Sequence, residues 1–247
     1  MKYRLKFYSN SEVVLPIQYN HIMQAALLNW IGDQNYSRNL HDGGYKYEKR
    51  SFKFHTFSNL YGNYKYYPEE KQIGFTGEIY FWCSFYEEES DGWIAKAVEK
   101  QKPLQLKDKK LAFISCEVIE EEAESCIIDT VSPITIHSTV ELPNGRKRTY
   151  YYEPYEREFS EMIRQNLLRK YQAVYGQLPE NQEFHIITLN EEKYKQVSIY
   201  YKKFVIKGWR GRFIIKGSNE LIKLALLAGI GARNGIGCGC IIQKKVI

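Results

Sequence analysis

Polar and bulky apolar residues alternate from Lys2 to Tyr8, which predicts a strand at the start of the chain. Leu15-Pro16 then opens a helix, proline being tolerated in a first turn. Ile17, Asn20, Met23 or Gln24, Leu27 and Ile31 recur at helical spacing and predict one buried face. Gly32 interrupts this helix, and Asp33 can cap a second, short one that runs through Leu40 and His41 until Asp42-Gly43-Gly44 breaks it. Phe52 to Phe57 reads as a strand with Phe52, Phe54 and Thr56 on one side and Lys53, His55 and Phe57 on the other. Strand patterns also cover Ile73 to Phe85 and Lys110 to Ile119, with a helix from Ser90 to about Lys100 between them. The order is β-α-β-β-α-β, that of a ferredoxin-like unit.

The pattern then repeats without visible sequence repetition. Ile127 to Thr139 is a β-branched strand, and Asn144-Gly145 is a hairpin turn signal flanked by basic residues. Glu156 to Tyr175 is the clearest helix, with Phe159, Ile163, Leu167, Tyr171 and Val174 on one face. Strands at Glu183 to Leu189, Gln196 to Val205 and Arg210 to Lys216 precede a helix from Ser218-Asn219 to Leu227 and a last strand. The expected architecture is α+β, two tandem ferredoxin-like, RRM-related domains. They span residues 1–121 and 122–247, with the acidic run Glu120 to Glu124 as a solvated connector between them.

Charge sharpens this picture. From Lys193 onward there are twelve Lys and Arg against one acid, Glu220, so this segment carries +11 and the rest −5 of the net +6. Such asymmetry points to a polyanionic partner for the C-terminal part. Twenty-one tyrosines suit base stacking as well as strand packing. No apolar run reaches a membrane span and no leader pattern opens the chain, so a cytoplasmic protein without membrane association is expected. The five cysteines are scattered, with no CxxC pair, and are read as small buried thiols; neither a metal site nor a cofactor is expected.

The stretch from Gly229 to Gly239 holds five glycines with Arg233 and Asn234 among them. Glycine permits positive φ and close approach by another molecule. No Gly-Lys-Ser/Thr follows, so this is not a Walker loop, and a helix before it with a strand after it is the wrong order for a dinucleotide site.

Taken together, these landmarks resemble the CRISPR-associated endoribonucleases that cut precursor CRISPR RNA within its repeats, members of the RAMP superfamily. The resemblance rests on Leu15 to His21, Leu40 to Tyr45, Phe52 to Ser58, Ser132-Pro133-Ile134 and Asn166 to Tyr171. It closes with Gly208-Trp209-Arg210-Gly211, Gly229 to Asn234 and Gly235-Ile236-Gly237. It implies metal-independent cleavage by a ribose 2′-hydroxyl, leaving a 2′,3′-cyclic phosphate and a 5′-hydroxyl. CRISPR repeat RNA is the implied partner, with other effector-complex subunits as further candidates, and the protein is expected as a monomer or homodimer.

Onto this sequence the resemblance maps His41 as the catalytic histidine and Lys53 as the lysine that some members use against transition-state charge. Lys46, Lys49 and Arg50 could replace that lysine. Several members carry a tyrosine late in the first helix where this chain has Leu28; Tyr36, or Tyr45 and Tyr47, could supply a hydroxyl. His21 and His55 are second choices, while His137 and His185 read as ordinary strand residues. The expected RNA contacts are Arg146, Arg148, Lys202, Lys203, Lys207, Arg210, Arg212, Lys216, Gly231, Arg233, Asn234, Gly235 and Gly237. With Leu28 at the tyrosine position, a repeat-binding protein of the same fold without catalysis is the alternative.

Overall fold

A computed structural model describes residues 1–32, 44–87, 89–189, 194–201 and 204–246. The short helix expected from Asp33 to His41 lies outside these residues. The first unit comprises β1 (Lys2–Pro16), α1 (Asn20–Ile31), β2 (Tyr45–Tyr47), β3 (Arg50–Phe52), β4 (His55–Phe57), β5 (Tyr61–Tyr67) and β6 (Gln72–Phe85). It continues with α2 (Glu89–Glu99), β7 (Leu104–Leu106) and β8 (Lys109–Ile119). Its sheet runs β4-β6-β1-β8-β7, with β5 added on β6. The two central strands are long because apolar alternation persists along both, and β1 pairs antiparallel with β6 and β8. Their inward residues meet α1: Phe7 stacks on Phe81 at 6.0 Å and meets the edge of Trp30 at 5.8 Å.

The second unit comprises β9 (Cys126–Thr130), β10 (His137–Glu141), β11 (Lys147–Tyr151), α3 (Arg157–Tyr175), β12 (Phe184–Thr188), β13 (Lys195–Tyr201) and β14 (Phe204–Arg210). It closes with β15 (Arg212–Gly217), α4 (Asn219–Ala228), a 3-10 turn at Asn234–Ile236 and β16 (Ile241–Val246). Its sheet runs β12-β15-β9-β16, and the hairpins β10-β11 and β13-β14 are inserted between framework elements. In each unit the framework strands lie in the spatial order second, third, first, fourth. The fold is therefore two tandem ferredoxin-like units. Phe159, Ile163 and Leu167 fall one turn apart on α3 and are fully buried.

Several elements differ from the periodicity. Leu15 and Pro16 close β1, paired with Ile73 and Gln72, and the helix starts only at Asn20. Ile127 to Thr139 is two strands, because Ser132-Pro133-Ile134 crosses over and Ile134 pairs its backbone with Trp209 in both directions, at 2.8 and 2.9 Å. Gln196 to Val205 is not one strand; β13 and β14 pair antiparallel down to Tyr201 opposite Phe204. The expected Phe52 to Phe57 strand is interrupted after Phe52, and His55, Thr56 and Phe57 are all buried instead of alternating. Phe57 belongs to the first core, whereas Phe52 and Phe54 join the second.

The acidic run is not wholly a solvated connector either. Glu121 accepts two hydrogen bonds from Lys2 Nζ, at 2.6 and 2.7 Å, and one from the Gln243 backbone at 3.0 Å. Lys2 Nζ also donates to the Ile241 carbonyl at 2.5 Å. The first strand of one unit is thus fastened to the last strand of the other by an ion pair whose side chains are 0% and 4% exposed. Among the described residues no helix is long and apolar enough to cross a membrane.

Removing one partner of such a pair strands the other charge in a buried setting. Glu121→Ala should therefore lower unfolding free energy by about 3–5 kcal/mol in a urea titration. The double variant Lys2→Met/Glu121→Leu should recover most of that loss; equal losses in both would show that the pair is not the tie.

Candidate nucleic-acid interface

The glycine-rich segment after α4 is held in a fixed shape by one side chain. Lys170 on α3 is 1% exposed, and its Nζ donates to the Gly229 carbonyl at 2.6 Å, the Gly231 carbonyl at 3.0 Å and Asn234 Oδ1 at 2.8 Å. Three acceptors match the three N–H bonds of an ammonium. Burial pulls this group down to about 7. Asn234 completes the scaffold, its Nδ2 donating to the Ile230 and Cys238 carbonyls. From the other side Ala232 and Gly239 donate backbone N–H bonds to Thr135 and Pro133, at 2.7 and 2.8 Å.

The shaped loop lies directly on the first unit. A Cβ on Gly235 would come within 2.7 Å of Lys53 Cδ, and one on Gly237, whose φ is +80°, would enter the Phe57 ring. Only glycine allows this approach. Thr56 Oγ1 donates to the Cys238 carbonyl at 2.8 Å; Asn20 and Gln24 of α1 donate to the carbonyls of Ile236 and Gly235 at 2.9 and 2.6 Å. This cover explains why both sides of β4 are buried. His55 stacks on Phe85 at 5.8 Å and bonds the Gly235 backbone, and burial, aided by the Lys53 charge, holds it down at about 3. It is neutral near pH 7 and unable to cycle a proton there.

Beside this junction opens a cleft of about 620 Å³. Its cations come from three places in the chain: Lys49, Arg50 and Lys53 before β4, Arg169 and Lys170 on α3, and Arg233 in the loop. Among the described residues no Asp or Glu lines it. Crowding bears on the neighbours: burial and then Arg50 lower Arg169 against an opposing pull from Glu48, and burial followed by Arg233 and Arg50 lowers His137 below its ordinary range. A basic concavity of this kind suits a polyanion, with cations for phosphates and apolar walls for bases.

The expected site residues divide accordingly. Lys53, Gly231, Arg233, Asn234 and Gly235 line the cleft. Asn234 is buried and both ends of its amide are engaged internally, so its side chain shapes the loop. Gly231, Gly235 and Gly237 are buried too, and what approaches Gly235 and Gly237 is the first unit. Arg146, Arg148, Lys207 and Lys216 are exposed on strands and a hairpin outside the cleft. Arg210 is half-buried, close enough to Tyr19 and Tyr61 for its charge to act on both phenols. Arg212 is exposed but donates twice to Asp129, at 2.7 and 3.0 Å, so its charge is partly offset.

His41, Tyr36, Lys202 and Lys203 lie outside the described residues. His21 is exposed on α1, and Leu28 packs against the first core. His137, Asn166 and Arg169 line the cleft without being among the expected site residues. Asn166 and Lys170 sit four apart on the buried face of an amphipathic helix, a placement that was itself a readable signal.

Two ferredoxin-like units closed over a basic, glycine-walled cleft define an RRM-related architecture suited to nucleic acid. The family model described as CRISPR associated protein Cas6, C-terminal, matches residues 115–242, more than half of the chain, and the chain belongs to that family. It is 26% identical over 252 residues to the CRISPR-associated endoribonuclease Cas6 1 of Methanocaldococcus jannaschii, covering 99% of this chain and 93% of that protein. Two solved structures share the fold. One, described as the characterization of a Cas6-related gene from Pyrococcus furiosus, superposes with a TM-score of 0.81 at 20% identity, over 99% of this chain and 98% of its own. The other, described as an RAMP protein binding different RNA substrates, gives 0.79 at 21% identity over 99% and 100%.

The loop's anchor has a pH signature. Lys170 titrates near 7 when folded and near 10.5 when unfolded, so between those values the unfolded chain carries the extra proton and stability rises with pH. The slope expected from this group approaches about 1.4 kcal/mol per pH unit midway between those values and is smaller at either end. Urea titrations across pH 7 to 10 should show that component in the parent and not in Lys170→Met. Parallel profiles would contradict the assignment.

Proposed function

We propose that the protein is a metal-independent endoribonuclease that cuts precursor CRISPR RNA within its repeats. The observation that carries the reading is the basic cleft, lined by no acid among the described residues, in which Lys53 lies against the loop and five further cations surround it. Family membership and the name of the Methanocaldococcus jannaschii relative support the reaction class.

In this reading a ribose 2′-hydroxyl attacks the adjacent phosphorus, and the bond to the 5′-oxygen breaks. The products are a 2′,3′-cyclic phosphate and a 5′-hydroxyl. Two protons must move, one from the nucleophile and one to the leaving oxygen. His41 serves as a proton-transfer group, because an ordinary imidazole is present in both forms near neutrality. Gly44, three residues further on, packs against Phe52 and Lys53. The tether from there to His41 spans about 11 Å at full extension. Lys53 supplies positive charge to the phosphorane-like transition state, and Tyr36 a hydroxyl in place of the family tyrosine at Leu28. We assign residues 1–121 to the unit carrying the catalytic groups and 122–247 to the unit carrying the glycine-rich loop and the basic strands. Arg146, Arg148, Lys202, Lys203, Lys207, Arg210, Arg212 and Lys216 then extend the RNA path beyond the cleft, with Arg233 within it.

A second reading is favoured by Leu28: a repeat-binding protein without catalysis. Leu28 is turned into the first core and offers no hydroxyl.

Cleavage of the source organism's repeat RNA in EDTA separates the two. The expected result is a 2′,3′-cyclic phosphate product, no cutting of RNA with a 2′-deoxy nucleotide at the scissile position, and loss of cutting with retained binding in His41→Ala. Binding without any cutting by the parent protein would favour the second reading, and cutting of the deoxy substrate would exclude the 2′-hydroxyl mechanism.

Affinity should fall steeply with salt. Five cleft cations besides the internally engaged Lys170 give a slope of log K against log salt of up to about −3.5 for a single strand. Arg50→Ala should reduce that slope by about 0.7; an unchanged slope would remove Arg50 from the phosphate path.

A further inference from the structure

One wall of the cleft holds a polar group that the described residues leave unused. Asn166 lies on α3 one turn before Lys170, is 6% exposed and lines the cleft. Its Oδ1 has no hydrogen-bond partner among the described residues. Buried carboxamides normally find partners, because an unpaired one forfeits the bonds it made to water. Lys170 does not serve it, since all three of its N–H bonds go to the glycine-rich loop. Among the described residues nothing therefore accounts for an asparagine at this place. Leucine, of similar size, would suit a helix face that carries Ile163 and Leu167 into the same core.

The surroundings indicate what it waits for. Met162, one turn earlier on α3, lines the cleft with Phe52 and Ile136, giving apolar surface beside the amide. Arg50 and Arg169 line the same cleft. A phosphate would be met by the guanidinium groups and gains little from a neutral amide. A nucleobase matches the whole set: its faces rest on apolar side chains, its edge meets a carboxamide, and its flanking phosphates meet the arginines. The torsion that turns a terminal amide is soft, so either its donor or its acceptor end can be presented to the cleft. The volume of about 620 Å³ admits a nucleotide.

We propose that this pocket receives one nucleobase of the bound repeat RNA and that the Asn166 carboxamide reads that base's hydrogen-bonding edge. The proposal rests on the RNA reading above and makes Asn166 a specificity-determining residue, distinct from the groups assigned to bond cleavage.

The test measures binding, so that it does not depend on catalysis. Fluorescein-labelled repeat RNA from the source organism's CRISPR array, and a panel with each nucleotide substituted singly, are titrated by anisotropy against the parent, Asn166→Leu and Asn166→Ala. The parent is expected to discriminate at one nucleotide by about tenfold to a hundredfold, the range of a good side-chain contact to a base. Both variants should lose discrimination at that nucleotide and keep it elsewhere, and Asn166→Leu should show a Tm no lower than the parent. Uniform weakening across the panel with a lowered Tm would make Asn166 structural and overturn the proposal. An unchanged discrimination profile would overturn it while leaving the RNA reading intact. A parent protein that binds no RNA of the panel would overturn both.

Discussion

A single ammonium under a glycine-rich loop is the constraint on which the rest of this structure depends. Lys170 is buried with no carboxylate in its hydrogen-bond set; its three N–H bonds meet two carbonyls and an amide oxygen that would otherwise be stranded where the loop doubles back. The geometry suits lysine because the acceptors surround a point, whereas a planar guanidinium fork would need them spread along an edge. A loop so fixed can be almost without side chains and still be rigid. It therefore presents a flat backbone surface to β4, close enough to touch Lys53 and Phe57. The second unit's helix thereby shapes the surface against which Lys53 of the first unit lies.

The same coupling explains where the charge gathers. The C-terminal quarter is the most basic part of the sequence, yet part of its charge is offset, as where Arg212 meets Asp129 and Lys244 approaches the same carboxylate at 3.7 Å. The cleft draws instead on cations from three separate stretches, Lys49 to Lys53, Arg169 to Lys170 and Arg233, and gathers them where no acid among the described residues lines the wall. Net charge along a sequence and the field that a ligand meets are different quantities. The first predicted a polyanion partner, and the second gathers cations from both units around one concave site.

The order of elements was legible because periodicity is a local property of the chain. Tyr3, Leu5 and Phe7 point one way along a strand, and Phe159, Ile163 and Leu167 one way along a helix, whatever else is folded. Two β-α-β-β-α-β successions follow from that, and the tandem ferredoxin-like fold with them. The landmark stretches were legible too, but as separate words. That Asn166 to Tyr171 and Gly229 to Gly237 are one device required the hydrogen bonds that join them.

Wherever burial was set by a distant segment, the local pattern misled. His55, Thr56 and Phe57 read as an ordinary alternating strand, yet all three are buried because the glycine-rich loop covers the side that would otherwise face water. Glu121 read as part of a solvated acidic run, but Lys2, 119 residues earlier, draws it inside. The sequence by itself determined which way each element turns its apolar side. Only the tertiary structure decided what lies on the other side, because hydrophobic periodicity records that a face is buried but carries no information about which distant residues bury it.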